Sequence, residues 1–323
     1  MASVTEQLVK YLTDAHAIEQ QALAQLRTAP DIAGDPELSR LFAEHLTETE
    51  EQERTVRNRL EAHDASPSKL KDTVMAAGGK GFVLFARSQP DTPGKLAAHA
   101  ISYENLEAAA YELLSRVAEI AGDRDTAEAA RRIRTQELAM SDRLQAALDH
   151  AVDASLRDQQ PDELPEQLRK YLADAHAIES QAIQLLEKGP DLAGDPEIAQ
   201  LYAEHLEETR DHQTLVRRRL EELGGSPNAL KDAAMRLGAL NWGTFFAAHP
   251  DTPGKLAAFA FAFEHLEIAG YEELKRVGRR AGDQATVAVA DQILDQERAA
   301  ATKIAAQWDR AVEASLREVG VAA

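Results

Sequence analysis

Four glutamates stand where helical apolar stripes should continue, and each occurs twice. Glu19 interrupts Leu8, Leu12, Ala15, Ala22 and Leu26; His45, Glu48 and Gln52 interrupt Leu38, Phe42, Thr49, Val56 and Leu60. Glu107, beside Glu104, breaks the series Leu96, Ala100, Tyr103, Ala110, Leu114 and Val117, and Glu137 breaks Ala130, Ile133, Met140, Leu144 and Leu148. Spacing of three and four residues places each set on one helix face, so these carboxylates face an interior. The same four recur as Glu179, Glu208, Glu267 and Glu297, with His205 for His45 and Glu264 for Glu104.

Like charges gathered in an interior are sustained only by shared protons, by intruding cationic side chains, or by a polyvalent cation. Oxygen-rich donor sets suit hard divalent or trivalent ions, and di-iron and di-manganese sites in helix bundles are built this way. Metal ions are therefore the expected partners. Glu51 and Asp211, three residues after Glu48 and Glu208, are further candidate ligands, and His212, which matches Gln52, adds a nitrogen in the second half only. Helix D lacks the histidine three residues after its glutamate that a fully equipped site has, since Met140 and Ala300 stand there.

The elements that must position these residues come from a duplication. The segment Glu6–Leu156 realigns on Glu166–Leu316 without a gap, at a constant offset and with about half the positions identical. Two domains are expected, 1–158 and 166–323, joined by a linker at 159–165 that carries two prolines. Each half shows four helical patterns, A at about 4–28, B at 36–62, C at 93–121 and D at 125–152, repeated in the second half. Asp35-Pro36-Glu37, Thr92-Pro93, and Asp123 or Asp125 sign their starts. The B–C connection, Asp64 to Thr92, has room for short helices of its own. Short A–B and C–D connections with one long B–C crossover predict an all-α chain of two tandem ferritin-like four-helix bundles. Since all four glutamates fall near their helix midpoints, they should meet at one level.

The residues around these glutamates carry a resemblance. Asp14-Ala-His-Ala-Ile-Glu19, His45-Leu-Thr-Glu48-Thr49, Leu106-Glu107-Ala-Ala-Ala-Tyr111 and Glu137, with their counterparts in the second half, resemble the YciE/YciF-type ferritin-like family of stress-associated bacterial proteins. The resemblance implies a ferritin-like fold with a candidate di-metal centre in each half, holding iron, or alternatively manganese or zinc, in oxidative or iron stress. It implies Glu48 and Glu137 as bridging or terminal ligands and Glu19 and Glu107 as terminal ones. The alternative is a non-enzymatic stress or scaffold protein whose carboxylates are metal-free, protonated, or paired with arginines such as Arg134 or Arg59.

Other features take plainer readings. His45 and His205 serve equally as ligands or as partners that orient a carboxylate. His16 and His176 lie off the stripe and are expected at the surface, and Glu50, Glu51 and Glu53 read as a solvated face, with Glu51 the exception. Tyr103, Tyr111, Phe82 and Phe85, with Phe263, Tyr271, Trp242, Phe245 and Phe246, read as packing. Gly78-Gly79-Lys80-Gly81 lacks the spacing of a phosphate loop. The chain has 323 residues and a net charge of −19, which argues against nucleic acid and anionic membranes as partners. With no cysteine, no signal peptide pattern and no long apolar run, the expectation is a cytoplasmic protein without thiolate metal sites. Repeats this similar are expected to form an intrachain pseudo-dimer, with higher oligomers open.

Overall fold

A computed structural model describes residues 3–69, 71–73, 75, 91–227 and 252–321. The expected crossover helices fall largely outside the described residues, as do Gly78–Gly81, Phe82, Phe85, Trp242, Phe245 and Phe246. Every described element is helical, and none of these helices is long and apolar enough to cross a membrane. The chain divides into two compact units, one running to Arg157 and one from Asp158 to Val319.

In the first unit, α1 (Val4–Leu26) leads through a single turn, α2 (Ala29–Ile32), into α3 (Pro36–Ala62). After the crossover come α4 (Thr92–Ile120), α5 (Arg124–Ala146) and α6 (Leu148–Leu156). The second unit repeats the order as α7 (Leu164–Leu186), α8 (Gly189–Leu192), α9 (Pro196–Glu222), α10 (Thr252–Arg280), α11 (Gln284–Ala305) and α12 (Trp308–Glu318). Pro165 lies in the first turn of α7, where its missing N–H leaves no gap in the hydrogen-bond ladder, so the helix begins inside the expected linker. The expected single helix D is two helices. At Ala147 the backbone turns to φ −90°, ψ 2°, its N–H bonds both Arg143 and Leu144 carbonyls, and the chain continues as α6 packed on α4. Neither glycine nor proline explains this break.

Four helices close a ring in which α1 touches α3 and α4, and α5 touches α4 and α3. The pairs Arg59–Asp123, Gln52–Gln136 and Glu48–Arg143 run in opposite sequence directions, so α3 and α5 are antiparallel. α7, α9, α10 and α11 form the same ring in the second unit. Leu8, Leu12, Leu38, Phe42, Leu60, Ile101, Leu114, Ile133 and Leu144 fill the first core, and the glutamate layer lies among them.

The helix starts are fixed by side chains. Asp35 accepts from the N–H groups of Glu37 and Leu38, ahead of Pro36. Asp91, not Thr92, is the N-cap of α4, yet it makes no capping bond; Ser155 of α6 accepts from Gly94 N–H instead, as Ser315 does from Gly254. Gly34 holds φ 69°, and a Cβ there would fall 2.8 Å from Pro93 Cγ, so a side chain would push the starts of α3 and α4 apart.

Asp123 caps α5 through Thr126 N–H and also accepts from Arg59 and His63 of the α3 end. Burial raises its pKa, but bonds from Thr126, His63 and Arg59 outweigh this and hold the carboxyl well below the usual range. A depressed pKa contributes stability that is complete above the unfolded value, about 3.9, and is lost as pH falls below it. Asp123→Ala should therefore cost about 1–3 kcal/mol in urea unfolding at pH 7, and less at pH 3.

Candidate metal centre

The four helices bring a histidine and four glutamates of the first unit to one level. His45 from α3, Glu104 and Glu107 from α4, and Glu137 from α5 are all buried, and each offers a ligand atom within 4.8 Å of the others. His45 Nε2 lies 2.9 Å from Glu104 Oε2 and 3.6 Å from Glu137 Oε2. Glu19 from α1 completes the layer, fully buried, and accepts a hydrogen bond from the Tyr111 hydroxyl. In the second unit His205, Glu264, Glu267 and Glu297 form the same group, and Tyr271 donates to Glu179. These groups can hold a metal ion.

The donor chemistry fits a hard or borderline divalent ion. Glu137 and Glu267 have both carboxylate oxygens buried with no hydrogen-bond donor, and Glu19 and Glu179 have one each; the buried oxygens Glu104 Oε2, Glu264 Oε2 and Glu297 Oε1 meet only histidine nitrogens. Buried acceptors without donors are uncommon and destabilising, and a cation would satisfy several at once. His45 and His205 supply nitrogen donors of intermediate softness.

Protonation follows from the same crowding. Burial pushes Glu19 up to about 8, with Tyr111 and His45 opposing it. Burial, reinforced by the neighbouring carboxylates, raises Glu107 and Glu137 well above the ordinary value, and Glu267 likewise. Burial also pulls His45 down, but Glu104, Glu48 and Glu137 overcome it, so its pKa ends well above 6.5; His205 reaches about 10 for the same reasons. Glu297 departs from Glu137. Burial would raise it, yet His212 and His205 bring it below the ordinary carboxylate value.

Several sequence expectations need correcting. Glu48 does not enter the layer: its side chain is 35 % exposed, accepts from His45 Nδ1 at 3.0 Å and pairs with Arg143 at 2.7 Å. His45 first, then Arg143, bring its pKa down to about 2. Glu208 repeats this position, 3.1 Å from His205 Nδ1 and 3.7 Å from Lys303. Both lie beside the histidine, at the rim of the layer. Glu51 and Asp211 are exposed, because their phase on the helix turns them away from the ring. Glu104 and Glu264, candidate ligands beside Glu107 and Glu267, are members of the groups. Arg134 pairs with Glu112 and Arg59 with Asp123, so neither arginine neutralises the layer.

His16 is buried and not at the surface. Its Nε2 lies 2.8 Å from Glu53, itself buried, and its Nδ1 3.1 Å from Asp72, because the start of the crossover covers that face of α1. His176 is buried too. Small cavities of about 20 Å³ beside Glu104 and about 30 Å³ beside Glu264 leave room for one or two waters next to each group. His99 and Tyr103 line the first, Phe259 and Phe263 the second.

With a chelator present, the raised acids and histidines all act in one direction. Each binds more protons folded than unfolded above its unfolded pKa, about 4.3 for glutamate and 6.5 for histidine, so stability is fullest below that value and is lost as pH rises through the folded pKa. The midpoint of urea unfolding of the metal-free protein should fall between pH 5 and pH 9, and Glu107→Gln should make this fall shallower.

No solved structure matches the chain. A family model described as a domain of unknown function, DUF892, matches residues 3–157 and again 163–317, following the duplication and taking in both glutamate layers. The chain belongs to the DUF892 family, as two tandem copies of its domain.

Proposed function

We propose that the protein is a ferritin-like metal-binding protein whose two bundles each hold divalent metal in the layer of buried carboxylates. The observation that carries this reading is the set of buried, donor-less carboxylate oxygens converging with a histidine nitrogen from three helices. In the first unit His45, Glu104, Glu107 and Glu137 would be the ligands, with Glu19 alongside; in the second, His205, Glu264, Glu267 and Glu297. Iron is the first assignment, with manganese and zinc as alternatives, because mixed oxygen and imidazole donors accept all three. A bound ion would supply Lewis acidity and, if redox-active, electron transfer to a small molecule in the adjacent water-sized cavity. The resemblance to YciE/YciF-type proteins extends the proposal to cytoplasmic defence against iron or oxidative stress.

The chain's own residues prepare the site. Glu48 accepts from His45 Nδ1, which leaves Nε2 facing Glu104 and Glu137 as the donor atom, and Glu208 does the same for His205. Tyr111 and Tyr271 hold Glu19 and Glu179 in place.

The scaffold reading has one observation in its favour: acids with raised pKa values can stay protonated, so the layer is tolerable without metal. Uptake separates the two. Purified protein, stripped and then exposed to Fe(II), Mn(II) or Zn(II), should retain metal by elemental analysis after desalting and melt at a higher temperature, by linkage. Glu104→Gln with Glu137→Gln should abolish retention in the first unit. Glu48→Gln should keep the number of ions but weaken affinity about 10–100-fold, since it loosens the ring rather than removing a ligand. A melting temperature that no divalent ion moves would favour the scaffold.

A further inference from the structure

The duplication compares two versions of one site inside a single chain, and they differ at one interior ligand position. Gln52 of the first unit is His212 of the second. Both are buried, and both face the glutamine that precedes the fourth-helix glutamate, Gln136 or Gln296. His212 Nε2 lies 3.1 Å from Gln296 Oε1, an acceptor, which turns Nδ1 inward. There Nδ1 lies 2.8 Å from Glu297 Oε1 and 3.9 Å from Glu179 Oε1. Glu179, His212 and Glu297 thus form a second group of converging ligand atoms within 4.8 Å of one another.

Glu297 belongs to both groups of its unit, and it divides its oxygens between them. Oε1 faces His212, while Oε2 faces His205 at 3.6 Å. A carboxylate with one oxygen on each of two nitrogen-bearing groups has the form of a bridge between two ions. In the first unit Gln52 turns its amide nitrogen to Gln136 at 3.4 Å and leaves an amide oxygen, a weaker donor than imidazole nitrogen for transition metals, buried without a partner. Among the described residues of that unit only one group of converging ligands forms.

We propose that the second unit holds a two-ion centre bridged by Glu297 and the first a one-ion centre, so that the full chain carries three divalent ions. The proposal rests on the metal-binding reading above and adds the count and its distribution. The second ion of the second unit is held by Glu179, His212 and Glu297, and its absence from the first unit follows from Gln52. The two domains are then unequal: only the second would place two ions side by side.

Stripped full-length protein titrated with Mn(II), desalted and assayed by elemental analysis should retain three ions per chain. Its paramagnetic resonance spectrum should contain both an isolated Mn(II) signal and the exchange-coupled signal of a bridged pair. His212→Gln, which installs the residue the first unit already tolerates, should lower retention to two ions and remove the coupled signal while the isolated one remains. Gln52→His should raise retention to four. Two or four ions in the parent, or a coupled signal that survives His212→Gln, would overturn the inference while leaving the metal reading intact. No retention at all would overturn both.

Discussion

The structure turns on placing carboxylates against one another in a buried interior. A buried glutamate with no donor is unfavourable, and three or four at one level are more so, because each charge raises the pKa of the next. The histidine at their centre makes the arrangement tenable without metal. His45 lies within 3.6 Å of Glu104 and Glu137, and His205 of Glu264 and Glu297, so one positive ring faces two acids. The remaining acids, Glu107 and Glu267 among them, have raised pKa values and can be neutral. The apolar ring of four helices then supplies the stability that this layer does not.

Much of this was legible because helical phase is a geometric rule. Glu19, Glu107 and Glu137 break apolar series whose members are buried except for the half-buried Ala110, and the structure buries the three glutamates too. On α3 the phase separates the polar residues. At about 100° per residue, Gln52 stands only about 20° from His45 around the helix, but Glu48 stands about 60° away and Glu51 about 120°. The inward line is therefore His45, Thr49, Gln52 and Val56, with Glu48 on its shoulder and Glu51 outside.

What was not legible is tertiary. His16 lies about 60° off the line of Glu19, a flank position that sequence assigns to solvent, and only the return of the chain at Asp72 covers it. The break at Ala147 has no glycine or proline to announce it. Glu53, within a run of acids that reads as a solvated face, is buried because His16 and Arg57 meet it there. Each of these depends on what lies opposite, and periodicity along one helix carries no such information.

The rim of each layer shows how the two copies have parted. In the first unit Glu48 is clasped by Arg143 at 2.7 Å, a planar guanidinium whose charge and geometry fix the carboxylate and, through it, the His45 ring. In the second, Lys303 stands in that place at 3.7 Å from Glu208, a point charge that constrains direction less. The first unit thus has the more tightly oriented histidine and the smaller set of nitrogen donors, and the second has the reverse. Orientation and ligand number both raise affinity for a cation, the first by reducing the ordering that binding requires and the second by adding bonds. Two sites that trade one for the other can keep comparable affinity while differing in how many ions they bring together. That leaves a tandem chain free to specialise one copy without losing the other.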